Sequence, residues 1–325
     1  MDTRPLGVTG LEVTPIGLGL AALGRPAYLT AGRGPDLGAD RSIEAMEART
    51  HTLLDAAREL GIRYVDAARS YGHAERFLGD WLRARAVPAD EVVVGSKWGY
   101  RYVGDWRVDA EPHEVADHSL AALEAQLPES QGHLAPWLRL YQVHSATLER
   151  GVLQDAAVLR ELATMHADGL AIGLSVTGPR QADTIRAALD VRIDGVNPFA
   201  VVQATWNALE PSAGTALAEA HEAGWGVIVK EALANGRLIP GGTDSAVLDR
   251  IATRHASTAD AVALAAVLEQ PWADVVLSGA VTDAQLRANV GALDLALDDE
   301  DRDALRAKAE PAERYWAARA ARPWT

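Results

Sequence analysis

The chain has 325 residues, 48% hydrophobic and 23% charged. These are proportions of an ordinary globular protein and exclude a disordered, collagenous or coiled-coil chain. A formal charge of −14, from 31 basic against 45 acidic residues, leaves none of the basic stripe that nucleic acid demands. With no cysteine there are no disulfides, thiolate nucleophiles or cysteine-ligated metals. No run of 18 apolar residues predicts a membrane span, and Asp2, Arg4 and Glu12 break up any signal-peptide core, so a cytoplasmic protein is expected.

Along the chain, a short hairpin is expected at 6–11 with Gly10 in its turn. Eight short β-branched runs follow, at 16–18, 62–66, 92–97, 138–144, 171–175, 195–203, 226–230 and 275–279. Helically spaced segments separate them, at 52–60, 74–85, 113–127, 151–167, 179–189, 214–223, 245–255 with 257–268, and 282–293. From Asp66 to Gly279, successive strand ends lie between 27 and 49 residues apart, the size of βαβ units. Eight such units without a linker predict a single (β/α)8 TIM barrel over 1–325 rather than an open doubly wound sheet. A long loop after the first strand, over 21–49, and a C-terminal extension from residue 298 absorb the excess length.

The Gly17-x-Gly19-x-x-Ala22 run imitates a dinucleotide fingerprint, but that fingerprint needs a helix directly afterwards. Here Gly24, Pro26, Gly32, Gly34 and Pro35 prevent one. No H-E-x-x-H occurs, and His113 and His118 are five apart, off the spacing of a zinc pair, so no metal is expected.

Active sites of (β/α)8 barrels form at the carboxyl ends of the strands. Asp66, Lys97 and His144 close the second, third and fourth apolar strands, where an ionisable group is costly unless paired. Lysine is scarce here, three against 28 arginines, which draws attention to Lys97. Such a lysine also permits Schiff-base chemistry.

Residues Gly61-x-x-x-x-Asp66-Ala67-Ala68-x-x-Tyr71-Gly72-x-x-Glu75 resemble the aldo-keto reductase family at every motif position but Ala67, where threonine is usual. Lys97 in Gly95-Ser96-Lys97-Trp98 and His144 in Tyr141-Gln142-Val143-His144 match the family's lysine and histidine. Further matches, among them Gly173-x-Ser175, Gln203-x-x-Trp206-Asn207, Gly279-Ala280, Gln285 and Asn289, extend the likeness over most of the chain.

The resemblance implies hydride transfer between a nicotinamide dinucleotide and an aldehyde, a ketone or the corresponding alcohol. Tyr71 would be general acid/base, Lys97 would favour its anionic form, Asp66 would anchor Lys97, and His144 would orient the oxygen. A noncatalytic nucleotide-sensing subunit on the same scaffold is the alternative. The nicotinamide carboxamide would meet Ser175 and Gln203, although Val176 stands where the family often has asparagine. Lys230 replaces an aromatic that often stacks on the ring; its stem can cover a ring face. Gly279 and Ala280 would receive the pyrophosphate, with Gln285 and Asn289 beside the adenine. NADP(H) is favoured, with Arg287 the nearest cation after Gly279, and NAD(H) is left open. Tyr28, Trp98 and Trp206 are the expected substrate-pocket residues and His73 a further candidate. The partner is a small carbonyl or alcohol, a sugar or an aryl carbonyl, and neither nucleic acid nor membrane.

Overall fold

The computed structural model describes residues 1–29 and 34–324. Strands β1 (Arg4–Pro5) and β2 (Glu12–Val13) pair antiparallel. Gly7 and Gly10 turn the chain between them at φ +52° and +72°, where a side chain would be strained. The alternating series begins with β3 (Ile16–Gly19), α1 (Ile43–Glu59), β4 (Tyr64–Asp66), α2 (Ala74–Ala84) and β5 (Val93–Trp98). An antiparallel arm, β6 (Tyr100–Tyr102) with β7 (Glu114–Ala116), leads to α3 (Leu120–Leu134) and β8 (Leu138–Ala146). Then come α4 (Ala156–Ala167), β9 (Ala171–Val176), α5 (Gln181–Leu189), β10 (Val201–Thr205), α6 (Gly214–Glu222) and β11 (Gly226–Lys230). Helices α7 (Ala246–Arg254) and α8 (Ala259–Leu268) precede β12 (Val275–Ser278) and α9 (Asp283–Val290). The extension holds α10 (Asp299–Arg306) and α11 (Ala312–Ala320).

Strands β3, β4, β5, β8, β9, β10, β11 and β12 pair in parallel in that order, and β12 returns to β3 to close the barrel. The predicted (β/α)8 architecture is therefore the observed one. Several boundaries differ, three of them for a clear local reason. Helix α1 starts at Ile43 because the Ser42 hydroxyl accepts from the Ala45 N–H, so the last residues of the expected 21–49 loop are helical. Residues 30–33 of that loop lie outside the described residues. The helix expected over 113–127 is instead arm β7 followed by α3, which the Ser119 side chain caps. Helix α3 runs through Pro128, whose exposed position leaves the freed carbonyl of the exposed Glu124 to water. The sixth barrel strand begins at Val201, later than expected, since Pro198 cannot donate to a ladder.

Alternation along the strands sorts the barrel interior into layers. At the amino end, Tyr64, Val93, Leu140, Val201, Ile228 and Val275 form an apolar cluster sealed from below by Leu6, Leu11 and Val13 of the hairpin. Two residues further along these strands, the inward positions turn polar at Asp66, Gln142, Gln203 and Lys230. The apolar layer is a floor under the polar one. Replacing the fully buried Leu6 by alanine should remove about 2–5 kcal/mol of stability in urea unfolding.

Candidate active site

Asp66 ends β4 in register with Gly19 of β3 and Gly95 of β5. Gly95 is required there: a Cβ would lie 2.2 Å from the Tyr64 hydroxyl. That hydroxyl donates to Asp66 Oδ2 at 3.1 Å, and Gln203 Nε2 donates to the same oxygen at 2.9 Å. Asp66 Oδ1 is paired with the Lys97 ammonium, and both side chains are almost completely buried. Lys97 Nζ also donates to the Ala67 carbonyl at 3.0 Å and to the Tyr71 hydroxyl at 3.5 Å. An ammonium has three donors, and all three are engaged.

The loop carrying Tyr71 is tied to its neighbours through the backbone. Ala67 N–H donates to Gly95 O, Arg69 N–H to Lys97 O and His73 N–H to Gly24 O. Behind it the buried Glu75 carboxylate accepts from the Ser130 hydroxyl at 2.7 Å and from Ser96, and is ion-paired with Arg69. Burial and the Asp66 carboxylate push the Tyr71 phenol above its ordinary value, while Arg25 pulls it the other way. The phenol therefore holds its proton at neutral pH.

His144, near the end of β8, stands edge-on to Tyr71, ring centres 5.5 Å apart. Burial first, then the Lys97 and Arg25 charges, push its imidazole well below the ordinary range. His144 Nδ1 lies 3.3 Å from the Ser70 hydroxyl, which can donate to it or accept from it according to the tautomer of the neutral ring. Sequence reading thus named four groups that the fold brings together.

These residues open on a cavity of about 370 Å³ lined by Tyr71, His144, Gln203 and Lys230, and also by Tyr28, Gly279, Ala280, Gln285 and Asn289. Ser175 lies outside it, its Oγ accepting from the Ser145 N–H at 2.8 Å. Gln203 gives one amide N–H to Asp66, which leaves its second N–H and its Oε1 as the donor and acceptor for a cofactor. Trp98 and Trp206 are not pocket residues. Trp98 follows the inward Lys97 and so points out of the barrel, edge-on to His118 at 5.9 Å. Trp206 packs edge-on against Trp272 at 5.6 Å, and His73 stacks on Trp106 at 5.0 Å, also away from the cavity lining.

Lys230 Nζ donates to Thr205 Oγ1 at 3.0 Å, and burial pulls its ammonium down to about 8. Beside it Glu231, in left-handed conformation at φ +56°, is chelated by Arg319 of α11. Burial opposes its ionisation, but Arg319 and Lys230 hold it down to about 2. Sequence reading missed Arg25, Glu231 and Arg319; the last pair are 88 residues apart and no local pattern links them.

A nucleotide fits the part of the cavity beside β12. The Ser278–Val281 turn lines it, and around Gly279 the position of a Cβ is open space. Gln285 joins the Val281 N–H to the Asp36 carboxylate, at 3.0 and 2.8 Å, and fixes the turn.

The aldo/keto reductase family model matches residues 15–310, and the chain belongs to that family. It is accordingly an oxidoreductase of the aldo-keto reductase type, an enzyme of carbonyl groups and nicotinamide cofactors. Norsolorinic acid reductase A of Aspergillus parasiticus is 25% identical over 322 residues, covering 90% of this chain and 76% of that protein. The NADH-specific methylglyoxal reductase of Escherichia coli is 27% identical over 357 residues, covering 97% and 100%. An aldo-keto reductase structure from Bacillus halodurans shares the fold, with a TM-score of 0.72 at 22% identity over 96% of this chain and 97% of that one. Among the described residues no helix is long and apolar enough to cross a membrane.

With three lysines in the chain, ¹³C-methylation and NMR can follow each. The Lys230 signal should titrate with a midpoint near pH 8, charged below it and neutral above. The depressed value also means stability gained as pH rises from about 8 towards the unfolded-chain pKa of about 10.4, and lost as pH falls back.

Proposed function

We propose that Tyr71 is the general acid that protonates the alkoxide formed when a carbonyl is reduced, and the general base in alcohol oxidation. The observation that carries this is the Tyr71 hydroxyl, which accepts from Lys97 and keeps its own hydrogen for a ligand in the cavity. A bound nicotinamide cofactor supplies or accepts the hydride. His144 Nε2–H and the Tyr71 O–H together grip the carbonyl oxygen, so that electron density shifts from the carbon. As negative charge develops there, the phenolic proton crosses to it and the tyrosinate left behind is stabilised by Lys97. Asp66 holds Lys97 aimed at the phenol. Proton return from solvent restores the phenol.

Gln203 through its side-chain amide, and Gly279, Ala280, Gln285 and Asn289 beside β12, would hold the dinucleotide, with the Lys230 stem against the nicotinamide face. Tyr28 and the Tyr71 ring give the substrate side an aromatic wall that suits an aryl or sugar carbonyl, and the norsolorinic acid and methylglyoxal reductases support a carbonyl substrate. The C-terminal helix supplies Arg319 to the same cavity, which supports treating 1–325 as one domain.

Tyr71→Phe should lower kcat by about 10²–10⁴ while cofactor binding, followed by fluorescence quenching, is retained. A wild-type protein that quenches NADPH yet reduces nothing in a panel of aldehydes, ketones and sugars would support the nucleotide sensor instead.

Cofactor choice depends on the adenosine end. Arg287 is held by Asp283 at 2.9 Å and Glu59 at 3.4 Å. The cations lining the cavity among the described residues, Arg25, Lys230 and Arg319, belong to the first loop, β11 and α11. None stands beside β12 to pair a 2′-phosphate, which moves the sequence-based leaning from NADP(H) towards use of both dinucleotides. Steady-state kinetics should give kcat/KM values for NADPH and NADH within about tenfold of each other, a difference under about 1.4 kcal/mol.

A further inference from the structure

One buried cation at the cavity has no part in the chemistry above. Arg25, in the loop after β3, is 2% exposed and lines the cavity. Its Nε donates to the Ala21 carbonyl at 3.2 Å, and its Nη1 to the Ser70 carbonyl at 3.1 Å and to Glu114 Oε2 at 2.9 Å. A guanidinium carries five N–H groups, and these bonds use three of them. Nη2 makes no hydrogen bond among the described residues. Around it the guanidinium carbon lies 5.0 Å from the Tyr28 ring centre, 5.1 Å from Tyr71 and 4.5 Å from Trp324. The rings stabilise charge but accept no conventional hydrogen bond, so the two Nη2 N–H groups stand at the cavity wall without a protein acceptor among the described residues, free to donate to water or to a ligand there.

We infer that Arg25 is a substrate-specificity residue whose Nη2 binds an uncharged oxygen on the carbon next to the reacting carbonyl. The preferred substrates are then 2-hydroxy and 2-oxo aldehydes and ketones. This rests on the reductase reading of Tyr71 and His144. Three lines of geometry support it. The guanidinium lies against the same tyrosine ring whose hydroxyl would hold the carbonyl oxygen, and oxygens on adjacent carbons are about one hydrogen-bond length apart. Three hydrogen bonds fix the arginine in advance, so little side-chain freedom remains to be lost on binding. Glu114 already balances the charge, so a hydroxyl or keto oxygen completes the coordination, whereas a substrate carboxylate would be brought up beside the Glu114 carboxylate. A site built to hydrogen-bond a substrate oxygen discriminates against the analogue lacking it, because its own donors are then left unpaired.

The test compares 2-hydroxypropanal with propanal, which differ in that oxygen alone, for wild type, Arg25→Met and Arg25→Lys. Arg25→Met should cut kcat/KM for 2-hydroxypropanal at least about tenfold more than for propanal, and Arg25→Lys should fall between. Equal losses on both aldehydes, or no loss, would overturn the proposal and mark Arg25 as a support for Tyr71 or for the loop. Pyruvaldehyde should follow 2-hydroxypropanal, and a preference for glyoxylate over it would also overturn the proposal. Cofactor quenching by each variant reports that it is folded; should Arg25→Met fail that control, Arg25→Lys decides by the same ratio. Wild type that binds NADPH and reduces none of these carbonyls would instead overturn the reductase reading itself.

Discussion

The ion pair between Asp66 and Lys97 is the constraint around which the rest of the site is arranged. Two opposite charges this deeply buried are tolerated only where every remaining lone pair and proton finds a partner. Here that demand recruits the barrel. Tyr64 on β4, Gln142 on β8 and Gln203 on β10 all turn donors towards one oxygen of Asp66. The strand next to β4 gives up a side chain at Gly95 to admit the Tyr64 ring. The single contact Lys97 makes beyond its structural partners is the Tyr71 hydroxyl. An electrostatic obligation of the interior thereby becomes a charged contact for the cavity above it.

Much of this architecture could be read before any coordinates, and the reasons are local. Strand ends such as 62–66 and 92–97 are apolar runs stopped by an ionisable residue, so a period of two and an abrupt polarity change mark both the strand and its functional end. The four groups were legible because Asp66 and Tyr71 share one short motif and Lys97 and His144 each sit in another. What escaped depends on contacts across the chain. Nothing around Arg319 foretells that it chelates Glu231, and Arg25 sits in a loop rich in glycine and proline that reads only as irregular. The arm at Tyr100–Tyr102 and Glu114–Ala116 was missed because three-residue strands carry too little periodicity to compete with the helix that follows. Trp98 and Trp206 were misjudged because aromatic content in loops does not tell which side of the barrel a ring will face.

The two departures from the family pattern have different physical standing. Val176 is fully buried, paired with Ala146 across β8 and β9, and serves as core where an amide could have faced the cavity. Lys230 brings a titratable charge to the wall of the cavity and is held by Thr205 and the Glu231–Arg319 pair. Because that pair reaches into α11, the local electrostatics of β11 depend on a helix far along the chain.

The end of the chain has a further consequence. Trp324 stacks on His113 beside the arm at 4.2 Å, the two rings nearly parallel, and touches Tyr28 edge-on at 6.1 Å, so the tail is clasped between two loops at the rim. Residues 4–13, by contrast, close the opposite end of the barrel. Purification handles, labels and surface tethers attached at the carboxyl terminus would crowd the entrance through which ligands pass, whereas the same appendages at the amino terminus would leave that entrance clear.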